Sequence, residues 1–414
     1  MSYLSARFFQ FAGVHSFLIG LLPFFIPVLL WQNKESIGNV ALFIALTGLG
    51  FVVSLSLWER LFIKAHWRLL IALSLVFELL LVSVLMASEG LLLIVVAALL
   101  NGAYNCFYWT TQRVMFSAMT AEHEQTRNKT GKAFGDFQIL VVVLLKLGIL
   151  AGAFLLEQGD IHWVVLTSLL ITLVSGVWFC RSSVADRLAG VNELLNVERA
   201  ENLKPLSSFR FRDNHNSAII FYLDGVFLFL ESYFWVLSLF LITQENVMNL
   251  GLVVVTLTVF LSVVFFLIKN KIDALNPQKV FVIAVGMYAI SWLLRAELDM
   301  DMAEYWKYPA IVLIAFLTTF FRLSFNKRFF DIARKQKALP YLLSKSYLSQ
   351  AGIAIFFGGL ACLAYSLKDT AELLTLVYWV AVPASLVYWA YLSPEKALKP
   401  THRTEKLAVK RVQS

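Results

Sequence analysis

Runs of about 20 apolar residues, the length of helix that crosses a bilayer core about 30 Å thick, recur from one end of this chain to the other. Twelve segments fit that ruler: α1 (9–31), α2 (37–57), α3 (69–88), α4 (91–117), α5 (133–156), α6 (161–180), α7 (217–242), α8 (248–268), α9 (280–296), α10 (308–330), α11 (346–367) and α12 (372–392). Barrel strands alternate polar and apolar over about 10 residues, whereas these runs stay apolar for roughly twice that length, so the spans are helices. With 59% hydrophobic and 15% charged residues and a mean hydropathy of +0.73, the chain lies outside the soluble globular range.

The charged residues orient the spans. Lys and Arg at alternate span ends and loops fall overwhelmingly on one side, including Arg60, Lys64 and Arg68 after α2, Lys327 and Arg328 at the end of α10 and Lys345 before α11; the other side holds only Lys34, Lys307 and Lys368. By the positive-inside rule both termini are expected in the cytoplasm, as a multi-pass protein of the cell's inner membrane. The net charge of +8 therefore marks loops and does not imply a nucleic-acid partner. The first apolar run is about 23 residues long with no small-residue cleavage site after it, so it reads as a span and not a signal peptide. The expected organisation is an N-terminal bundle (1–180), a cytoplasmic linker (181–215), a C-terminal bundle (216–393) and a basic tail (394–414). Within the linker Val184, Leu188, Val191 and Leu195 recur at helical spacing, which predicts a short helix lying on the membrane surface. The basic tail is suited to anionic lipid.

The two halves resemble each other. One constant offset sets Phe9, Gly13, Val14, Phe17, Leu18, Leu29 and Gln32 on Phe221, Gly225, Val226, Phe229, Leu230, Leu241 and Gln244, and one further residue sets Leu100, Phe107, Phe116 and Lys132 on Leu313, Phe320, Phe329 and Lys345. The expected fold class is thus all-α integral membrane, with twelve transmembrane helices in two pseudo-symmetric six-helix bundles. In this organisation, and in the tracts Phe107-Tyr108-Trp109 with Arg113 and Phe329-Phe330-Asp331-Ile332-Ala333, the chain resembles the major facilitator superfamily over essentially its whole length. The loop from Trp58 to Arg68 keeps basic residues without the family's glycine and aspartate framework, and α5 has Gly148 and Gly152 without the Gly-Pro pattern of many drug/proton antiporters. The resemblance implies that α1, α4, α7 and α10 line a central cavity.

Polar residues in such spans are expensive and point to function. Lys146 lies near the middle of α5 and Arg322 slightly past the middle of α10, whereas Arg113 and Arg295 are nearer helix ends, where snorkelling to water is the simpler expectation. The acids are Glu78, Asp136, Asp224 and Glu231. Asp224 and Glu231 are seven residues apart and share one face of α7, with Ser238 continuing it. Asn101, Asn105, Tyr108 and Gln112 line one face of α4 beside Trp109, and Thr318, Thr319, Arg322 and Asn326 line one face of α10. Hydrogen bonds between helices are the structural alternative for these stripes. The expected substrate-binding set is Arg322, Asn326, Lys146, Asn101, Asn105, Tyr108, Trp109 and Gln112. The expected proton-coupling set is Glu231 first, then Asp224, Asp136 and His15.

Cys106, Cys180 and Cys362 form neither a disulfide framework nor a metal-ligand spacing, and no phosphate-binding glycine loop is present, so no cofactor, no metal and no direct ATP drive are expected. These features predict a monomeric secondary transporter, moving a small charged or zwitterionic organic solute by alternating access with proton coupling. A lipid or lysolipid flippase of the same fold is the nearest rival. A non-transporting receptor and a membrane-embedded enzyme are the rivals from other classes, and the enzyme would require a catalytic constellation that the sequence does not display.

Overall fold

The structure, a computed structural model, describes residues 3–33, 36–64, 66–87, 90–125, 130–158, 161–181, 212–273, 276–298, 302–335, 338–366 and 370–392. Most of the linker and all of the basic tail lie outside the described residues, and with them the amphipathic segment expected at 184–195. Among the described residues every regular element is helical, and twelve helices are long and apolar enough to span a bilayer. They are α1 Phe8–Gln32, α2 Ile37–Ile63, α3 Trp67–Leu85, α4 Gly90–Phe116, α5 Leu140–Gln158, α6 Ile161–Phe179, α7 Ser217–Ile242, α8 Val247–Phe265, α9 Pro277–Glu297, α10 Glu304–Ala333, α11 Leu339–Ser366 and α12 Glu372–Leu392. The chain is a multi-pass membrane protein. Exposed aliphatic side chains such as Val53, Val174 and Leu267 face what is hydrocarbon in a bilayer, and therefore need no cover from the protein.

Three spans are irregular, α12 by ending in a 3-10 segment at Val387–Leu392. In α1 the helix Tyr3–Leu21 yields to a 3-10 turn at Pro23–Phe25 before Ile26–Gln32 resumes, because proline cannot continue the hydrogen-bond ladder. In α7 the stretch Leu230–Phe234 is a π-helical turn between the α-helical pieces Ser217–Phe229 and Trp235–Ile242. The main departure from the expected boundaries is α11, whose helix begins at Ala338 and not at 346. Leu339, Tyr341, Leu342 and Leu343 are buried, and Pro340 is tolerated in the first turn, where no intrahelical partner is lost.

Apolar side chains gain little by leaving lipid for a neighbouring helix, so close packing of backbones has to hold the bundles together. In the N-terminal half α1 packs on α5, and in the C-terminal half α7 packs on α11. A Cβ built on Gly148 would come within 2.2 Å of the Phe17 carbonyl oxygen, and one on Gly225 within 2.2 Å of the Ser349 carbonyl oxygen. The same equivalence relates α3·α4 to α9·α10 and α3·α6 to α9·α12. The two halves meet along α2 with α11 and along α5 with α8, pairs that the pseudo-symmetry exchanges.

Candidate functional site

The charged residues of α7 and α10 form one connected group. Asp224 and Glu231 lie about two turns apart on α7, roughly 10 Å along its axis, and their side chains converge on the Arg322 guanidinium of α10. Its Nη1 donates to Asp224 Oδ1 at 2.6 Å and its Nε to Glu231 Oε2 at 2.9 Å. Tyr288 of α9 donates its hydroxyl to Glu231 Oε1 at 2.5 Å. Tyr388 of α12 donates to Asp224 Oδ1 at 3.2 Å, and Lys345 of α11 reaches Asp224 Oδ2 at 3.1 Å. All four carboxylate oxygens are therefore engaged, which is what a buried ion pair requires to offset desolvation of its charges. The side chains are only 16% (Arg322), 15% (Glu231), 10% (Lys345) and 6% (Asp224) exposed.

Aromatic rings wall the group. Lys345 Nζ lies 4.3 Å from the Phe329 ring centre and 4.9 Å from that of Phe325, and the Arg322 guanidinium lies 5.7 Å from the rings of Tyr288 and Phe321. Glu231 belongs to the π-turn of α7, a local irregularity that recurs at functional sites. One turn farther along α7, Trp235 lies 4.8 Å from the guanidinium of Arg295, and Trp292 lies 4.4 Å from it. Arg295 donates to Ser291 and Thr318, while its Nε and the indole N–H of Trp292 have no acceptor among the described residues. The expectation that Arg295 snorkels to water is corrected by its 3% exposure. Two indole faces hold its charge in place of a carboxylate.

The polar stripe of α4 faces partly across the bundle boundary. Asn101 Nδ2 donates to Tyr233 Oη of α7 at 3.0 Å and to Thr47 at 3.3 Å. Asn105 donates to Asn101 and accepts from the Trp109 indole at 3.0 Å. Arg113 Nη1 donates to Ser346 Oγ of α11 at 3.0 Å, so it too turns inward. Gln112 donates to Tyr108, and Tyr108 stacks on His15, 4.5 Å between ring centres. His15 is fully buried and bonded to Ser74 at 3.0 Å, with no residue of the charged group among its partners. Glu78 accepts from Ser168 and Thr172 of α6, a tie within the N-terminal bundle. Lys146 and Asn326 are half-buried and make no polar contact among the described residues. The side chain of Asp136 lies outside the described residues.

Many solved structures match this chain. The nucleoside transporter NupG superposes with a TM-score of 0.66 at 10% identity, over 95% of this chain and 100% of that one. The fold is that of NupG. A point mutant of NupG matches likewise, with a TM-score of 0.63 at 10% identity over 94% and 98% of the two chains. No protein-family model matches the sequence. No curated protein matches it either. At this identity the NupG likeness establishes the twelve-helix architecture and no residue of the site.

The sequence alone points to Arg322, Asp224 and Glu231 but not to Lys345, Tyr288 and Tyr388. Lys345 falls in a loop when α11 is started at 346, eight residues after the helix begins. The internal repeat, which aligns it with Lys132 at the entry to α5, is the available signal. The two tyrosines carry no such mark, since a tyrosine in an apolar span also reads as an interfacial or core ring.

Proposed function

We propose that this chain is a secondary active transporter of the major facilitator type, resident in the cell's inner membrane with both termini in the cytoplasm. Its cargo is a small charged or zwitterionic organic solute, moved by alternating access and driven by protons. The carrying observation is the Arg322 fork shared between Asp224 and Glu231 on helices that the family resemblance assigns to the central cavity. A neutralised Glu231 no longer holds the Nε of Arg322. The guanidinium is then available to an anionic group of the solute, which couples proton binding to solute binding. The fold shared with a nucleoside transporter supports an organic cargo.

The test begins with a thermal-stability screen of diverse metabolites on purified protein, followed by flux of the best stabiliser in proteoliposomes under an imposed pH gradient. Glu231→Gln keeps the shape of the side chain and removes its titration. It should abolish proton-driven accumulation while leaving exchange of solute down its own gradient. Accumulation at the wild-type level in Glu231→Gln would move the coupling role to Asp224, Asp136 or His15, and the absence of flux for every stabilising compound would overturn the transporter reading.

A further inference from the structure

The central group is unbalanced in a consistent direction. Its carboxylate oxygens are all occupied, and the groups left with unused hydrogen-bonding capacity are N–H donors. Arg322 Nη2 has only a 3.5 Å contact to the Tyr288 hydroxyl. Lys345 has three donors and one carboxylate oxygen, with the Phe325 and Phe329 rings beside its ammonium. Arg113 has five donors and one partner among the described residues, Ser346 Oγ.

Arg113 and Lys345 belong to different halves of the molecule yet meet at one turn of α11. Lys345 turns towards Asp224 while its chain neighbour Ser346 receives Arg113. Arg322 and Lys345 both hold Asp224, Arg322 also holds Glu231, and Arg113 lies beside Lys345 at Ser346, three cations for two carboxylates; the Phe116 and Phe330 rings also meet across the boundary, 5.2 Å apart. Uncompensated positive charge in such surroundings is costly, and neutral or cationic cargo does nothing to relieve it.

We propose that the boundary between Arg113 of α4 and Lys345 of α11 seats an anionic group of the cargo, a carboxylate or a phosphate, so that the transported solute carries net negative charge. This refines the transporter reading and rests on it. Arg113 is the contribution of the N-terminal half, and an anion bridging it to Lys345 ties the two halves together only when cargo is present. A cationic amine finds every carboxylate oxygen already held by a donor of the site and would add a fourth cation to the group.

The experiment measures the thermal unfolding midpoint of the purified full chain with four probes that share a phenyl ring and differ in charge: phenyl phosphate, benzoate, benzyl alcohol and benzylamine. At millimolar concentration the two anions should raise the midpoint of the wild type and the other two should not, with the stronger anion separating phosphate from carboxylate preference. Arg113→Gln should require at least tenfold more anion for the same shift, and Arg113→Lys should fall between. Without probe, Arg113→Gln should unfold no earlier than the wild type, because it relieves like-charge repulsion from Lys345. An Arg113 that merely anchors α4 to α11 would instead make Arg113→Gln unfold earlier with unchanged anion dependence. That result, a lack of response to both anions, or an equal response to benzylamine would overturn the seat. Flux assays judge the transporter reading separately, since a carrier of neutral cargo would still show flux.

Discussion

Arg322 holds two carboxylates at once because a guanidinium presents donors in a rigid fork, and a single Nη would leave the second carboxylate without its partner. Arg322→Lys keeps the charge but only as one compact point, so it should satisfy Asp224 or Glu231 and not both, with a loss of about 1–3 kcal/mol in stability. Arg322→Gln removes the cation from Glu231, leaving it only the Tyr288 hydroxyl, and should be worse, by about 3–5 kcal/mol. Adding Glu231→Gln to Arg322→Gln should recover much of that loss, because Asp224 still has Lys345 and Tyr388. Unfolding midpoints of the four proteins of this cycle give the coupling. If the double variant is as unstable as the sum of the single ones, the 2.9 Å contact between Arg322 and Glu231 contributes little.

At the scale of helices, the contact between α7 and α11 is made by backbone. A Cβ on Gly225 would lie 2.2 Å from the Ser349 carbonyl oxygen, and one on Gly352 2.4 Å from that of Tyr222. Nothing lies within 4 Å of a Cβ on Gly286 of α9. Gly225→Ala should therefore destabilise by about 1–3 kcal/mol, since carbonyl oxygens of two packed helices cannot yield like a flexible side chain. Gly286→Ala should be neutral or stabilise by up to about 1 kcal/mol through helix propensity. Opposite signs at two mid-helix glycines, read as unfolding midpoints in one detergent, are the signature. A neutral Gly225→Ala would mean that α7 and α11 are not held at that separation.

Most of the architecture is legible in the sequence, because the bilayer imposes a length and a polarity that a row of letters displays directly. The twelve spans emerge from that constraint alone, and the pairing of α1 with α7 emerges from the repeated Phe-Gly-Val-Phe spacing. The π-turn at Leu230–Phe234 does not, since one residue of extra winding leaves an apolar run apolar. The start of α11 is obscured by Lys345, which marks a helix end when unpaired and a buried site when Asp224 faces it. Side-chain direction is the least legible quantity. Arg113 and Arg295 are near helix ends, where water and the interior are both within reach, and the choice is made by Ser346, Trp235 and Trp292 on other helices or turns.

For the whole molecule, alternating access requires the boundary between the halves to open at each end in turn, and the α2–α11 contact runs the length of that boundary. At one end the Tyr365 hydroxyl donates to Asn39 Oδ1 at 2.5 Å; at the other, Trp58 and Phe62 line a crevice together with Leu339 and Leu343. Gly38 and Ala364 offer a way to lock the first end. A Cβ built on Gly38 would lie 3.4 Å from the Ala364 Cβ, close to the roughly 3.5–4.5 Å that a disulfide spans. Gly38→Cys with Ala364→Cys, in a background lacking Cys106, Cys180 and Cys362, should cross-link under mild oxidation once the Tyr365 ring, 3.0 Å from the same Cβ, shifts slightly. The oxidised protein should still bind its cargo, because the charged group around Arg322 lies deeper, but net flux should stop. Reduction should restore flux to the level of the unlinked variant, which separates a lock from misfolding. A cross-linked protein that transports at the reduced rate would mean that α2 and α11 do not part at this end, and that the cargo passes by another route, such as the α5–α8 side.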